Sequence, residues 1–266
     1  MKRVLLVLVV AGLTTMVGVG QKKETRPVSD FTGIDASGVF NITVTRGSAE
    51  SLIIEADDDL MPYVRSEVRN GVLHLFVDKR DQQKKIKTLK ASIVMKNLDR
   101  LSLSGTCKLT ANDLFTSDTF KGSCSGVANM TVNINTGQLD IDAGGVSKIQ
   151  LKANVNGNAK LDVSGTSKIQ AELKANQVKI SSSGVSSVDL SGSATDIKID
   201  ASGTSKADAE NFTVRTATVE SSGTSKITVN VAETLKVNSS GASSVGYKGS
   251  PIIEARTGGT SKVKKI

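Results

Sequence analysis

A short glycine-centred motif recurs along the chain at nearly constant spacing, and this recurrence limits the fold before any single residue is considered. Ser-Gly-Thr-Ser-Lys-Ile stands at residues 164–169, and variants of it surround Gly105, Gly126, Gly145, Gly184, Gly203, Gly223, Gly241 and Gly259. Successive motif glycines are 21, 19, 20, 19, 19, 20, 18 and 18 residues apart. One such unit cannot fold alone, because its few apolar side chains return less than the conformational entropy lost on ordering it. Units that stack cover each other's apolar edges and satisfy their backbone groups in parallel ladders. The spacing therefore predicts one solenoid coil per repeat, and with strands ~4.8 Å apart the eight intervals make a rod about 40 Å long.

The columns of the repeat give its local structure. Four residues after each glycine stand Leu109, Met130, Ile149, Ile169, Val188, Ala207, Ile227, Val245 and Val263; four before it come Leu101, Gly122, Ile141, Leu161, Ile180, Ile199, Val219, Val237 and Ala255. Two residues after the glycine the side chain is small, from Cys107 and Ala128 to an unbroken series of serines. Odd offsets are polar, with Asp142, Asp162, Asp200 and Glu220 three before the glycine and Lys148, Lys168, Lys206 and Lys226 three after it. A period of two means strands with even offsets inward. Each unit reads as a strand, a corner at Ser-Gly-Thr or Ser-Gly-Val, a second strand and a looser turn. The corner glycine supplies either a positive φ or room where a side chain would block a close approach.

Ahead of the array, residues 1–20 pair Lys2 and Arg3 with an apolar stretch and end in Gly18-Val19-Gly20. This is the pattern of a secretory signal, its apolar run being shorter than the ~18 residues of a membrane span. The mature chain is expected to begin near Gln21. Loss of the two basic residues lowers the net charge from +8 to +6. Residues 21–100 lack the tight repeat but still read as strands, with Asn70-Gly71 marking a two-residue hairpin and Ser37-Gly38-Val39-Phe40 a distant first copy of the corner. The expected architecture is an all-β, single-stranded β-helix (β-solenoid) of ~19-20-residue coils. Residues 21–100 form its N-terminal β-rich cap and opening coils, and 101–266 its repeats, continuous with the cap.

Several segments match a known pattern. Phe31-Thr32-Gly33-Ile34, Ser37-Gly38-Val39-Phe40, Ile54-Glu55-Ala56-Asp57-Asp58-Asp59-Leu60 and Asn70-Gly71-Val72-Leu73, followed by the Ser-Gly-Thr-Ser-Lys-Ile repeats, resemble the head GIN domain family. Its members are described as auto-transporter adhesins of bacterial envelopes. The resemblance runs from about Val28 to Ile266, implies a secreted β-helical domain and brings no catalytic residues. One departure matters: a self-translocating barrel carries aromatic girdles, and after residue 100 the aromatics are only Phe115, Phe120, Phe212 and Tyr247.

The chemistry on offer is narrow. A single histidine, His74, excludes any constellation needing two. The stacked carboxylates of the Asp142 column have the separation of a retaining glycosidase pair, yet no loop or apolar wall accompanies them, and a solvated charge ladder is the reading adopted. Asp57-Asp58-Asp59 reads as a turn rather than a cation site, and no metal or cofactor is expected. Cys107 and Cys124 lie in neighbouring coils, where export would permit a disulfide, though their offsets from the corner differ in sign. The basic run from Lys79 to Lys90, with Lys84 and Lys85 at its centre, and the lysines at 148, 168, 206 and 226 are the candidate contacts for anionic glycan, lipopolysaccharide or another cell-surface component. Nucleic acid is not expected, because too few aromatics exist to stack bases. The sequence thus points to a non-enzymatic adhesin or glycan-binding module of the periplasm, outer-membrane surface or extracellular space, not membrane-spanning after cleavage. The alternatives are a structural scaffold of the envelope and a polysaccharide-degrading enzyme.

Overall fold

The computed structural model describes residues 20–78 and 86–266; the signal segment and the Lys84–Lys85 run lie outside them. The chain forms a β-solenoid of about 9 turns whose strands belong to one continuous hydrogen-bonded sheet. From Lys108 onwards each coil is read directly from the repeat. Strands Lys168–Ser182, Ser187–Ala201 and Lys206–Ser221 each begin three residues after one glycine and end two before the next. They pair in parallel with like positions opposite like, so Ile169 faces Val188 and Ile180 faces Ile199.

The looser turn differs from expectation. Between Leu173 and Gln177 the chain bends without leaving the ladder, and Lys174 and Ala175 still pair with Ser193 and Ala194 of the next coil. Backbone groups in a bend are as costly to strand as those in a strand, and the next coil, bending at the same place, accepts them. Two coils of the repeat break there, at Asn156-Gly157 between strands Lys148–Val155 and Asn158–Val163 and at Ser250-Pro251 between Ser244–Gly249 and Ile252–Thr257.

At the sharp corner the glycine satisfies both requirements at once. Gly126, Gly145, Gly165 and Gly184 have φ between +69° and +71°, and a Cβ on any of them would lie 2.5–2.7 Å from the carbonyl oxygen of the preceding corner glycine. That oxygen accepts the N–H of the next residue along, as in Val185 N–H to Gly165 O at 2.8 Å. The first copy of the corner is also present: strand Gly33–Gly38 pairs in parallel with Arg100–Gly105, placing Gly38 opposite Gly105.

Even offsets do point inward. Leu101, Ile141, Leu161, Ile180, Ile199 and Val219 are fully buried. Gly122, the exception in this column, is accounted for by Phe120, whose buried ring lies 3.2 Å from where a Cβ on Gly122 would be. From Ser147 to Ser243 the serine column is buried too, and its hydroxyls pair along the column or with serines two before the glycine: Ser147 with Ser167 at 3.3 Å and Ser182 with Ser186 at 2.7 Å; Ser221 and Ser239, both two before a glycine, pair with each other at 2.8 Å. In the coil of Gly203 the residue two before the glycine is Ala201, and Ser205 Oγ is left buried with no partner. Ser205→Ala is therefore expected to raise stability by about 1 kcal/mol, since it removes an unsatisfied hydroxyl. Ala201→Ser should do the same by restoring the pair. Urea midpoints of the two variants check this, and a destabilised Ser205→Ala would contradict it.

The two ends differ. At the N-terminal end the direction of pairing reverses: Gln21–Arg26 runs antiparallel to Ser51–Asp57, which runs antiparallel to Leu89–Met95. Beside Gly33–Gly38, Val64–Arg69 and Val72–Val77 form the Asn70-Gly71 hairpin. Arg26 Nη1 donates to the Val64 carbonyl at 2.8 Å and to Ser66 Oγ at 3.3 Å, lacing the two outer strands over the core. The C-terminal coil has no such cover. Strand Ile252–Thr257 is exposed throughout, and Ile253, in an inward column, is 40% exposed. This end is guarded by Lys262, Lys264 and Lys265, in keeping with charge blunting an open edge.

Candidate functional site

Exposed side chains in a solenoid form straight columns, so any binding surface here consists of columns rather than a cleft. The column three residues after the glycine is continuous in register through Lys108, Asn129, Lys148, Lys168, Ser187, Lys206, Lys226, Ser244 and Lys262. All four expected ladder lysines stand in it. They are not electrostatically equivalent. Lys168 reaches Asp189 at 2.6 Å and Lys206 reaches Asp208 at 2.9 Å, both carboxylates belonging to the adjacent column. Hydrogen bonding to Asp208 raises the pKa of Lys206. Burial pushes the Asp208 carboxyl up, but Lys206 and the Glu210 N–H, which donates to it at 3.3 Å, outweigh burial and leave it below its usual range. Lys148 and Lys226 make no ion pair among the described residues.

The face that precedes the glycine is balanced instead. Asp142, Asp162, Ser181, Asp200 and Glu220 do stack in one column, as the spacing required. Lysines of the neighbouring column hold them: Lys160 pairs with Asp162, and Lys198 lies 3.4 Å from Asp200 and 3.0 Å from Glu220. A carboxylate held this way is occupied by a neighbouring cation, and the apolar wall that a general acid needs is missing.

The remaining candidates are structural. Cys107 and Cys124 are free thiols, both buried, and no disulfide joins them. They fall in different columns, Cys124 opposite Leu103 and Ala143, while Cys107 Sγ donates to the carbonyls of Ala36 at 3.7 Å and Gly38 at 3.6 Å. Burial pushes the Cys124 thiol up to about 12 and raises that of Cys107, so neither is a thiolate nucleophile at neutral pH. His74 lies on the cap, its Nδ1 3.7 Å from the Asp35 carboxylate. Asp57 Oδ2 accepts the backbone N–H groups of Lys87 and Thr88 at 2.8 and 3.2 Å, a turn-closing role. The spacing had not revealed which lysines are neutralised, because that depends on carboxylates two positions over in the same coil or the next.

Comparison with known proteins bears on both fold and family. The family model described as "Putative auto-transporter adhesin, head GIN domain" matches residues 30–172 and 152–251. No curated protein matches the sequence. Among solved structures, a "putative adhesin" from Parabacteroides distasonis superposes with a TM-score of 0.71 at 21% identity, covering 94% of this chain and 98% of its own. A "putative adhesin" from Parabacteroides merdae gives 0.67 at 18% identity, covering 93% and 97%. A "putative lipid binding protein" from Parabacteroides distasonis gives 0.64 at 18% identity over the same shares. Similarity at this level establishes a common fold, and the differing descriptions attached to that fold show that architecture alone does not fix a ligand.

Proposed function

This chain belongs to the head GIN domain family, and from that membership we propose that it is an exported, non-catalytic adhesion protein. Its partners are anionic polymers of a cell surface, acidic glycan or lipopolysaccharide. The observation that carries this reading is the lysine column after the glycine corner, in which Lys148 and Lys226 stand exposed and make no ion pair among the described residues. Like charges stacked in register, such as Lys148 on Lys168 and Lys206 on Lys226, repel one another and lower stability, and a polyanion laid across them relieves that repulsion. Among the described residues no helix is long and apolar enough to cross a membrane, and the proposal requires none. The pairing of the Asp162 column with lysine argues for a role without catalysis.

Binding to immobilised heparin and lipopolysaccharide, measured over a range of salt, tests the reading. Affinity is expected to fall about tenfold between low and physiological ionic strength, as screening of exposed charge dictates. The double variant Lys148→Glu with Lys226→Glu should weaken it further at low salt. Retention indifferent to salt would overturn the proposal. A second reading, a scaffold component of the envelope, rests on the uncovered Ile252–Thr257 strand; it predicts that the protein co-purifies with an outer-membrane assembly and binds neither polymer.

A further inference from the structure

We infer that the two faces of the rod that meet at the glycine corner bind each other between copies of this chain, so that parallel rods pile into an open stack. This goes beyond adhesion to a polyanion, because the partner is a second copy and the contact uses both faces. Outward columns lie ~6.6 Å apart along the strands, and three of them on a rod about 40 Å long make a face of ~600 Å². A contact of that size is weak and reversible, so charge must select it.

The selection is made coil by coil. Three residues before and three after the same glycine stand Asp162 and Lys168, Asp200 and Lys206, Glu220 and Lys226. In the coil of Gly184 both positions change together, to Ser181 and Ser187. Five residues out the signs are exchanged and still opposed, with Lys179 and Asp189, then Lys198 and Asp208, and in the last coil Glu254 and Lys264. The one like-charge opposition in these columns, Arg256 and Lys262, falls in that last coil. The register shift in the coil of Gly203 lies beyond them, between Asp208 and Asn211.

Contact within one chain does not account for the match. Among the described residues no ion pair joins the two faces round the corner: Lys168 and Lys206 reach carboxylates of their own face, and so do Lys160 and Lys198. Asp142 and Lys148, again from one coil, make no ion pair at all among the described residues.

A second copy translated perpendicular to the faces, with its corner on the same edge, brings all these residues together. Columns at equal distance from the corner lie opposite, and Asp142 of one copy meets Lys148 of the next. Slipping by one coil sets Asp162 against Ser187 and Glu220 against Ser244. Turning the copy so that lysine faces meet, corners together, sets lysine on lysine, which is repulsive. Because unlike faces are joined, the contact does not close on itself and the stack grows. Its terminal lysine face stays open to a polyanion.

The test is sedimentation velocity of the purified protein from ~10 μM to ~1 mM, in about 50 mM and about 0.5 M salt. The mean sedimentation coefficient should rise with concentration at low salt, without levelling at a dimer, and keep the monomer value at high salt. The triple variant Asp142→Ser, Asp162→Ser and Glu220→Ser takes the residue this column already carries at 181. It should associate about tenfold more weakly and still bind heparin through its lysine column. A further pair reverses one column each: Asp142→Lys, Asp162→Lys and Glu220→Lys in one protein, Lys148→Glu, Lys168→Glu and Lys226→Glu in the other. Each should stay monomeric alone at low salt, and mixing the two should restore association. Association that persists at high salt, a serine variant that associates like the parent, or a mixture of folded reversal variants that stays monomeric would each overturn the proposal. Salt-sensitive association in a protein that binds no heparin would support it and overturn the adhesion reading alone.

Discussion

Gly184→Val should destabilise the rod by about 4 kcal/mol or more, among the larger effects a single surface-corner residue can have. Two costs combine. A non-glycine residue in the left-handed region costs ~1–2 kcal/mol, and a β-branched one is worse placed there than most. Gly184 has φ +71°. In addition its Cβ would meet Gly165 O at 2.7 Å and Gly165 N at 3.1 Å, both backbone atoms fixed by their own ladders. Relief requires the coils to separate at the corner, which lengthens the Val185 N–H to Gly165 O bond now at 2.8 Å. Gly144, one residue before a corner glycine, makes the control. Its φ lies outside the left-handed range, and its Cβ would find ordinary contacts, Cys124 O and Ser164 Oγ at 3.7 Å. Serine occupies the same place at Ser164, Ser183 and Ser202, so Gly144→Ser should change stability by no more than about 0.5 kcal/mol. Urea unfolding followed by circular dichroism compares the two. Equal losses would mean that the glycine column is not a steric requirement of the stack.

That contrast marks what a one-dimensional pattern can carry. Inward and outward columns were legible because a solenoid turns sequence period into spatial register, and Ile141, Leu161, Ile180 and Ile199 are buried where a period of two put them. Gly38 was recognisable as a first corner for the same reason. The bend at Lys174 to Gln177 read as a loop because its Asn and Ala carry no strand preference; the ladder continues there because the neighbouring coil bends alongside. The cap resisted reading for a different cause. Its antiparallel strands pair across long separations, such as Gln21 with Asp57, and no recurring residue announces them. The lysine column was visible, but its electrostatics were not: Lys168 and Lys206 are quenched by Asp189 and Asp208, and that follows only once coil is set upon coil.

The sealed middle and open end of the rod predict opposite responses to the same chemical insult. Ile199 is fully buried, with Ile180 and Val219 paired on either side. Ile199→Asp places a carboxylate among aliphatic side chains where no cation can reach it, and the chain must protonate it, open the coils or let in water. Each route is costly, and a loss of about 5 kcal/mol is expected. Because solenoid stability is a sum of coils and the interfaces between them, the damage should divide the rod. The segments on either side of residue 199 would then unfold in separate transitions, visible as a broadened urea curve. Ala255 occupies the same column at the C-terminal coil, opposite Val237. There strand Ile252–Thr257 has no further coil beneath it and every residue is exposed, so an aspartate at 255 can turn to water. Ala255→Asp is expected to shift stability by no more than about 1 kcal/mol. If both variants lose the same stability, the C-terminal coil is covered in solution, and the uncovered strand on which the scaffold reading depends is occupied by a partner.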